Sequence, residues 1–351
     1  MPVNLSIIGA ADEVGRSLST QLLRGGFMTA TDTLQRVGHG AEGAERRVLA
    51  ERVDLLDAFD ETAPRIEVAG TPDEVCGDIV VVAGGVTVSK QTRTRSELAA
   101  KNRPVFEAFA AALSRNGAGR GGVVIVTNPV ELGVEVFCRH LDRRRVLGMG
   151  AQQDSLRFAR AISNTIGVRR GRVHARVLGE HGDAQVPLWS DVRLLGEPSE
   201  QEKRRLAELR AAREHGNVTG EIGHHRERVF GILGAERIRE AFDAVEALPP
   251  DLRVMIEPFV TAHCLHSTAN ATANATLDLV RALCSDRETV VGAQVRLEGE
   301  VYGLDTVVGV PVLAGAGGWS KVVLPPLTEE ESGRLVAAAA AIRASLAAWT
   351  S

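Results

Sequence analysis

The chain has 351 residues, 44% of them hydrophobic and 25% charged, which is enough apolar material for a large core and for two domains. With 41 basic against 45 acidic residues the net charge is -4, which argues against nucleic acid or an anionic membrane surface as a partner. Four cysteines (Cys76, Cys138, Cys264 and Cys284) lack any C-x-x-C or metal-type spacing and read as buried, reduced thiols. An N-terminus that enters a strand at once, with no run of transmembrane length, completes the expectation of a soluble, cytoplasmic protein.

Through the first 150 residues short apolar runs alternate with helical patterns. Val3–Ile8 precedes a helix near Val14–Arg24, and a second strand covers Thr33–Val37. Ile79–Ala83 precedes a helix over Glu97–Ser114, Val123–Val126 precedes one over Leu132–Leu141, and Val146–Leu147 closes the set. Runs of four to six residues rich in β-branched side chains, with crossover helices between them, predict a doubly wound parallel sheet in a first domain, 1–150. The remainder, 151–351, reads as an α+β substrate domain. It opens with a helix over Ser155–Ile166, a strand over Val173–Leu178 and a charged helix over Ser199–His215. Helices near Arg226–Val245 and Phe259–Leu283 follow, with Pro249-Pro250 as a break between helices. Strands over Val290–Leu297 and Thr306–Leu313 lead to an Ala-rich helix that Thr328 can cap.

The segment Gly9-Ala10-Ala11-Asp12-Glu13-Val14-Gly15 lies between the first strand and the first helix, where a helix N-terminus can hold a pyrophosphate. Gly9, Ala11, Asp12, Val14 and Gly15 are therefore candidate cofactor residues, which makes the parallel sheet one of the Rossmann type. Asp12 stands where a glycine is expected, and its carboxylate repels phosphate unless it turns away to cap the helix. After the second strand come Gly38-His39-Gly40 instead of the acid that usually binds a ribose 2'-hydroxyl, with Arg46 and Arg47 further on. Losing that acid leans the choice between NAD and NADP toward NADP.

Two further motifs carry the chemistry. Asp154 and Arg157 sit three apart on one predicted helix and share a face. His181, in Gly179-Glu180-His181-Gly182-Asp183, lies among glycines on a tight connection. Together they supply a carboxylate-oriented imidazole for proton transfer and a guanidinium fork for a substrate carboxylate, the equipment for reducing a 2-oxo acid.

Taken in chain order, these pieces resemble the lactate/malate dehydrogenase family from about Val3 to Leu327. The resemblance rests on the glycine loop, Val126-Thr127-Asn128-Pro129-Val130, Gly148-Met149-Gly150, Asp154-Ser155-Leu156-Arg157-Phe158, Leu178-Gly179-Glu180-His181-Gly182-Asp183 and Val310-Pro311-Val312-Leu313. It implies that His181 exchanges a proton with the substrate oxygen, that Asp154 orients the imidazole and that Arg157 clamps the carboxylate. Asn128 would bond the substrate oxygen. Ala83, Gly84, Asn102 and Thr127, with Gly38 and His39, would line the cofactor.

The family also has a loop that closes over substrate and ends in a Thr-Arg pair, whose arginine polarises the carbonyl. Counting back from Leu98 and Asn102 favours Arg95, and counting forward from Ala83-Gly84 favours Arg93; Arg95 is taken as the catalytic one. The position of the family's substrate selector falls on Ser89, or on Thr87 under the other count, and neither pairs with a second carboxylate. Lys90 or Arg93 could substitute. Thr268 resembles the family's pocket threonine, with close packing of the small residues around it as the alternative explanation.

His181 and Thr268 are 87 residues apart, more than the family usually spaces them. The excess could widen the pocket, cover it or build a subunit contact. The expected function is an NAD(P)-dependent dehydrogenase of a small 2-oxo/2-hydroxy acid, malate/oxaloacetate favoured over lactate or a larger acid, assembled as a homodimer or homotetramer. A non-catalytic binding protein, with Asp12 blocking the dinucleotide, is the competing class.

Overall fold

A computed structural model describes residues 2–39, 43–59, 61–86, 94–213, 218–265 and 267–350. Thr87, Ser89, Lys90 and Arg93 lie outside the described residues. Strands β1 (Asn4–Ile8), β2 (Thr33–Val37), β3 (Arg65–Ala69), β4 (Ile79–Val82), β5 (Gly122–Ile125) and β6 (Val146–Gly148) form a parallel array ordered β3-β2-β1-β4-β5-β6. Helices α1 (Glu13–Arg24), α2 (Ala44–Phe59), α3 (Arg95–Asn116) and α4 (Val130–Cys138) connect it. Every residue of β4 and β5 is buried, as near-continuous apolar runs covered on both faces should be. Leu5, Ile7 and Ile8 of β1 are fully buried, and each such side chain contributes about 1.5–3 kcal/mol. The chain leaves β1 and β4 toward opposite edges, which opens a crevice beyond their carboxyl ends, where doubly wound sheets bind ligands.

Most strands of the second half extend this same sheet. Strand β11 (Thr289–Arg296) pairs antiparallel with β6 through Gln294 and Gly148, and β12 (Val307–Gly315), β8 (Val177–Gly179) and β9 (Gln185–Pro187) continue outward from it. One eleven-stranded sheet thus crosses both halves, with β13 (Gly318–Val322) paired to β12. Helix α5 (Gly150–Ile166) opens this half and ends at Gly167, whose φ of +76° is left-handed. Helices α6 (Glu200–Ala211), α7 (Val218–Gly234), α8 (Ile238–Glu246) and α9 (Pro250–Leu265) share a second core with α5 around Phe158, Ile162, Val229, Ile232 and Leu252. Helix α10 (Ala269–Leu283) packs on α1, where Ser17 donates to Asn270 at 2.8 Å, and α11 (Glu329–Thr350) closes the chain.

Several expectations need correction. The strand read over Val173–Leu178 is two: β7 (Val173–His174) pairs with β10 (Arg193–Leu194) in a separate ladder before the chain crosses to β8. The helix read over Arg226–Val245 is α7 and α8, broken where Glu236 takes a left-handed φ of 57°. The helix read over Phe259–Leu283 is α9 and α10, interrupted before Thr268, whose backbone is not helical. Pro249-Pro250 does separate two helices, α8 and α9, and Thr328 caps α11 in a reciprocal pair with Glu331. Cys76 and Cys264 are exposed rather than buried; Cys138 and Cys284 are half-buried, and all four are free. No helix among the described residues is long and apolar enough to cross a membrane.

Candidate active site

Asp154 lies in the second turn of α5 and is 1% exposed. Its Oδ2 faces Nδ1 of His181 at 2.7 Å, and its Oδ1 accepts from Nη1 of Arg157 at 3.0 Å. An ionised carboxylate can only accept, so Nδ1 carries the proton and the imidazole turns Nε2 outward. Among the described residues Nε2 has no partner. The other arm of Arg157, Nη2, donates to Oγ1 of Thr268 at 3.1 Å. Gln153 donates to the same hydroxyl at 3.2 Å and to Thr272 at 3.0 Å, so the break before α10 delivers Thr268 to the guanidinium. Four predicted site residues, Asp154, Arg157, His181 and Thr268, thus form one connected cluster.

The loop carrying His181 is held from below. Helix α5 begins with Gly150 directly under the ring: a Cβ there would lie 2.4 Å from Cβ of His181. The backbone N–H of His181 donates to Oε1 of Glu131 at 2.6 Å, and Glu131, in the first turn of α4, is 1% exposed. Burial pushes the Glu131 carboxyl above its ordinary pKa, the charge of Glu180 adds to this, and Arg95 and His181 oppose it.

Arg95 takes a different place from the expected one. Thr94 caps α3 in a reciprocal pair with Glu97, so Arg95 sits in the first helical turn. Its Nη2 meets Glu131 at 2.9 Å, while Nη1 meets Glu180 at 3.1 Å and the carbonyl of His181 at 2.8 Å. In this arrangement Arg95 braces the backbone of the histidine loop. Glu131, Glu180 and Gln153 were missed from the sequence; an acid inside Val130-Glu131-Leu132-Gly133-Val134 was the available signal.

At the other end of the crevice, Gly9 takes a φ of +77°, and a Cβ on it would come within 2.2 Å of Cα of Gly84. Gly15 is packed as closely, its added Cβ meeting the carbonyl of Gly9 at 2.3 Å. The loop after β1 is thereby drawn against the loop after β4. Thr127 donates to the carbonyls of Val82 and Gly84 at 3.2 and 2.9 Å, and Ala83 donates its N–H to Ile8 at 2.9 Å. Ala11 is buried and Val14 half-buried beside them.

Asp12 does not cap α1; its carboxylate lies 3.2 Å from Nε2 of His39 instead. The bond from that carboxylate raises the pKa of His39, against the opposing effect of burial. Gly38 is buried and donates to Ala69, while Arg46 and Arg47 are exposed on α2. Buried Arg36 pairs with Glu51 and donates to the carbonyl of Ala10 at 2.9 Å. Asn102, fully buried, gives its amide to Val86 and to the carbonyl of Asn128 at 2.7 Å. It therefore ties the start of the loop at residue 86 to the turn at Asn128, whose side chain is exposed beside a cis Asn128-Pro129 bond.

These residues fit a dinucleotide: close packing of Gly9 on Gly84 and of Gly15 on Gly9 sets the N-terminus of α1 at the carboxyl end of β1, where its backbone N–H groups suit a pyrophosphate. When bound, a nicotinamide supplies or accepts the hydride. The chain's own groups present a guanidinium at Arg157 and an imidazole oriented by Asp154. Fold and site together define an oxidoreductase that acts on a CH–OH group with a nicotinamide cofactor.

The sequence profile of the lactate/malate dehydrogenase NAD binding domain matches residues 3–148, and that of the family's alpha/beta C-terminal domain matches 152–216 and 257–350. An L-lactate dehydrogenase of Salinibacter ruber is 29% identical over 313 residues, 87% of each chain. A malate dehydrogenase of Natronomonas pharaonis is 28% identical over 344 residues, 93% of each chain. Among solved structures, a lactate dehydrogenase from a Medee basin deep-sea metagenome library superposes over all of both chains, with a TM-score of 0.76 and 20% identity. The chain belongs to the lactate/malate dehydrogenase family and is an NAD-type 2-hydroxy acid dehydrogenase. Residues 217–256, which include α7 and α8, are matched by neither profile.

Proposed function

We propose that the protein interconverts a small 2-oxo acid and its 2-hydroxy acid, with oxaloacetate and malate as the preferred pair. The observation that carries this reading is the shared carboxylate of Asp154, which bonds the imidazole of His181 at 2.7 Å and the guanidinium of Arg157 at 3.0 Å. In the reductive direction Arg157 holds the substrate carboxylate with two parallel bonds, assisted by Thr268. His181 donates its Nε2 proton to the carbonyl oxygen as the carbon is reduced, and Asp154 stabilises the imidazolium before and the neutral tautomer after. Asn128 is assigned to the same oxygen. Arg93 or a repositioned Arg95 would complete its polarisation, and Ser89 would face the substrate side chain.

NADP is accepted alongside NAD. Gly38 and His39 follow β2 where an acid usually stands, and His39, which Asp12 favours in its charged form, suits a 2'-phosphate. The pairing of Asp12 with His39 also weakens the idea of a blocked, non-catalytic site. A specialised larger acid is the second reading, supported by a cavity of about 490 Å³ bordered by Arg157, Thr268, Leu156, Arg160, Pro258 and Thr261. The family resemblance supports a homodimer or homotetramer and a division into domains near residue 150.

The test is oxidation of NADH and NADPH at equal concentrations with oxaloacetate, pyruvate and bulkier 2-oxo acids. Turnover with oxaloacetate at the highest kcat/KM is expected. Silence across the panel, with no dinucleotide binding by calorimetry, would sink the proposal.

A further inference from the structure

The candidates for selecting the substrate's charge, Ser89, Lys90 and Arg93, lie outside the described residues, and the added segment brings a further cation to the histidine loop. Helix α7 lies wholly within residues 217–256, the stretch that neither family profile matches. It is anchored by Val229, Ile232 and Leu233, all buried in the second core. From the same helix Arg226 reaches out to Asp183, with Nη1 2.8 Å from Oδ1. The guanidinium lies over the ring of Phe259 at 5.6 Å, and Phe230 packs edge-on against that ring at 6.1 Å. Arg226 is therefore held in place by packing on α9 rather than projecting freely into water.

Asp183 follows His181 by two residues, so its Cα is at most about 7.6 Å from that of the histidine. A carboxylate so close to the imidazole opposes a second negative charge on the substrate. The ion pair removes that opposition. It also leaves donors unused, because a guanidinium carries five N–H groups and Asp183 takes one Nη. With 31% and 59% of the two side chains exposed, the pair is open to exchange with an incoming anion. The substrate's geometry completes the case. With C1 on Arg157 and the C2 oxygen at Nε2 of His181, C3 and its substituent extend away from Arg157.

We propose that Arg226 on the added helix α7 is the specificity-determining residue that receives the second carboxylate of a dicarboxylic 2-oxo acid. This assignment rests on the 2-oxo acid reading above and gives it a substrate class: four-carbon or longer dianions, selected from the C-terminal half.

The experiment compares Arg226→Leu, Arg226→Lys and Asp183→Asn with wild type on oxaloacetate and pyruvate, with thermal melting as a control for folding. In Arg226→Leu the ratio of kcat/KM for oxaloacetate over pyruvate is expected to fall about 100-fold, or about 2.7 kcal/mol at 1.36 kcal/mol per decade. Arg226→Lys should retain most of that preference as a point charge, and Asp183→Asn should increase it. Equal losses on both substrates in Arg226→Leu, or an unchanged ratio, would overturn the assignment. The same holds if Arg226→Leu unfolds while Arg226→Lys and Asp183→Asn both leave the ratio unchanged. A wild-type enzyme that reduces no 2-oxo acid at all would instead overturn the underlying reading, which keeps the two failures distinct.

Discussion

Replacing Asp154 with asparagine removes one charge and no volume from the centre of the site. Asp154 is 1% exposed and serves two donors, His181 at 2.7 Å and Arg157 at 3.0 Å. An asparagine has only one acceptor oxygen, so it can satisfy the imidazole or the guanidinium but not both; its NH2 must face a second donor. The larger loss falls on the charged imidazole that delivers the proton. A unit charge about 4 Å from an imidazolium is worth about 4 kcal/mol at an effective dielectric of about 20. Loss of most of that from the transition state corresponds to a fall in kcat/KM of about 10³. Stopped-flow reduction of oxaloacetate by NADH would read the chemical step, and calorimetry would show cofactor affinity close to that of wild type. A fall of less than tenfold, in a variant with unchanged melting, would mean that Asp154 is a structural partner of Arg157 and that His181 is oriented by something else.

Other outcomes follow from single contacts. His181→Ala should abolish turnover while leaving dinucleotide affinity nearly unchanged, and loss of cofactor binding in that variant would undo the assignment. Arg157→Lys should raise the substrate KM by about 100-fold with a smaller change in kcat, because a point charge cannot reproduce the two-pronged contact; wild-type kinetics would place the carboxylate elsewhere. Gly150→Ala puts a methyl 2.4 Å from Cβ of His181, so kcat should drop by an order of magnitude or more, as a steady-state assay would reveal. The raised pKa of His39 means that its charged pairing with Asp12 is complete below the ordinary histidine value of about 6.5 and is lost as pH rises through the folded value. Dinucleotide affinity measured by fluorescence titration should therefore weaken with rising pH across that window, and His39→Gln should flatten the profile.

Periodicity made β1, β2, β4, β5 and α5 legible because their apolar faces are continuous and their caps local. It failed where the signal was not local. Glu131 is hidden in an otherwise apolar helix start, and only the fold reveals that the histidine loop lies above it. The break between α7 and α8 carries no glycine or proline at its turning point, since a single left-handed residue, Glu236, makes it. Counting from the family's loop puts Arg95 in the loop, whereas Thr94-Arg95-Ser96-Glu97 carries the cap signature that starts a helix there.

The two ends of the cleft follow one physical rule. A carboxylate stands close to each anion-binding region, Asp12 at the phosphate loop and Asp183 beside the imidazole, and each would by itself weaken the binding expected there. Each is answered by a cation distant in sequence: His39 lies 3.2 Å from Asp12 and Arg226 2.8 Å from Asp183. Arg226 comes from the helix that the profiles do not match, and His39 from the turn after β2, where an acid is usual. A chain drifting away from catalysis has no physical need to neutralise these two carboxylates while keeping Asp154, Arg157 and His181 in contact. Pairwise neutralisation at both ends is what the proposed dicarboxylate specificity requires of a dehydrogenase whose cofactor is itself a polyanion.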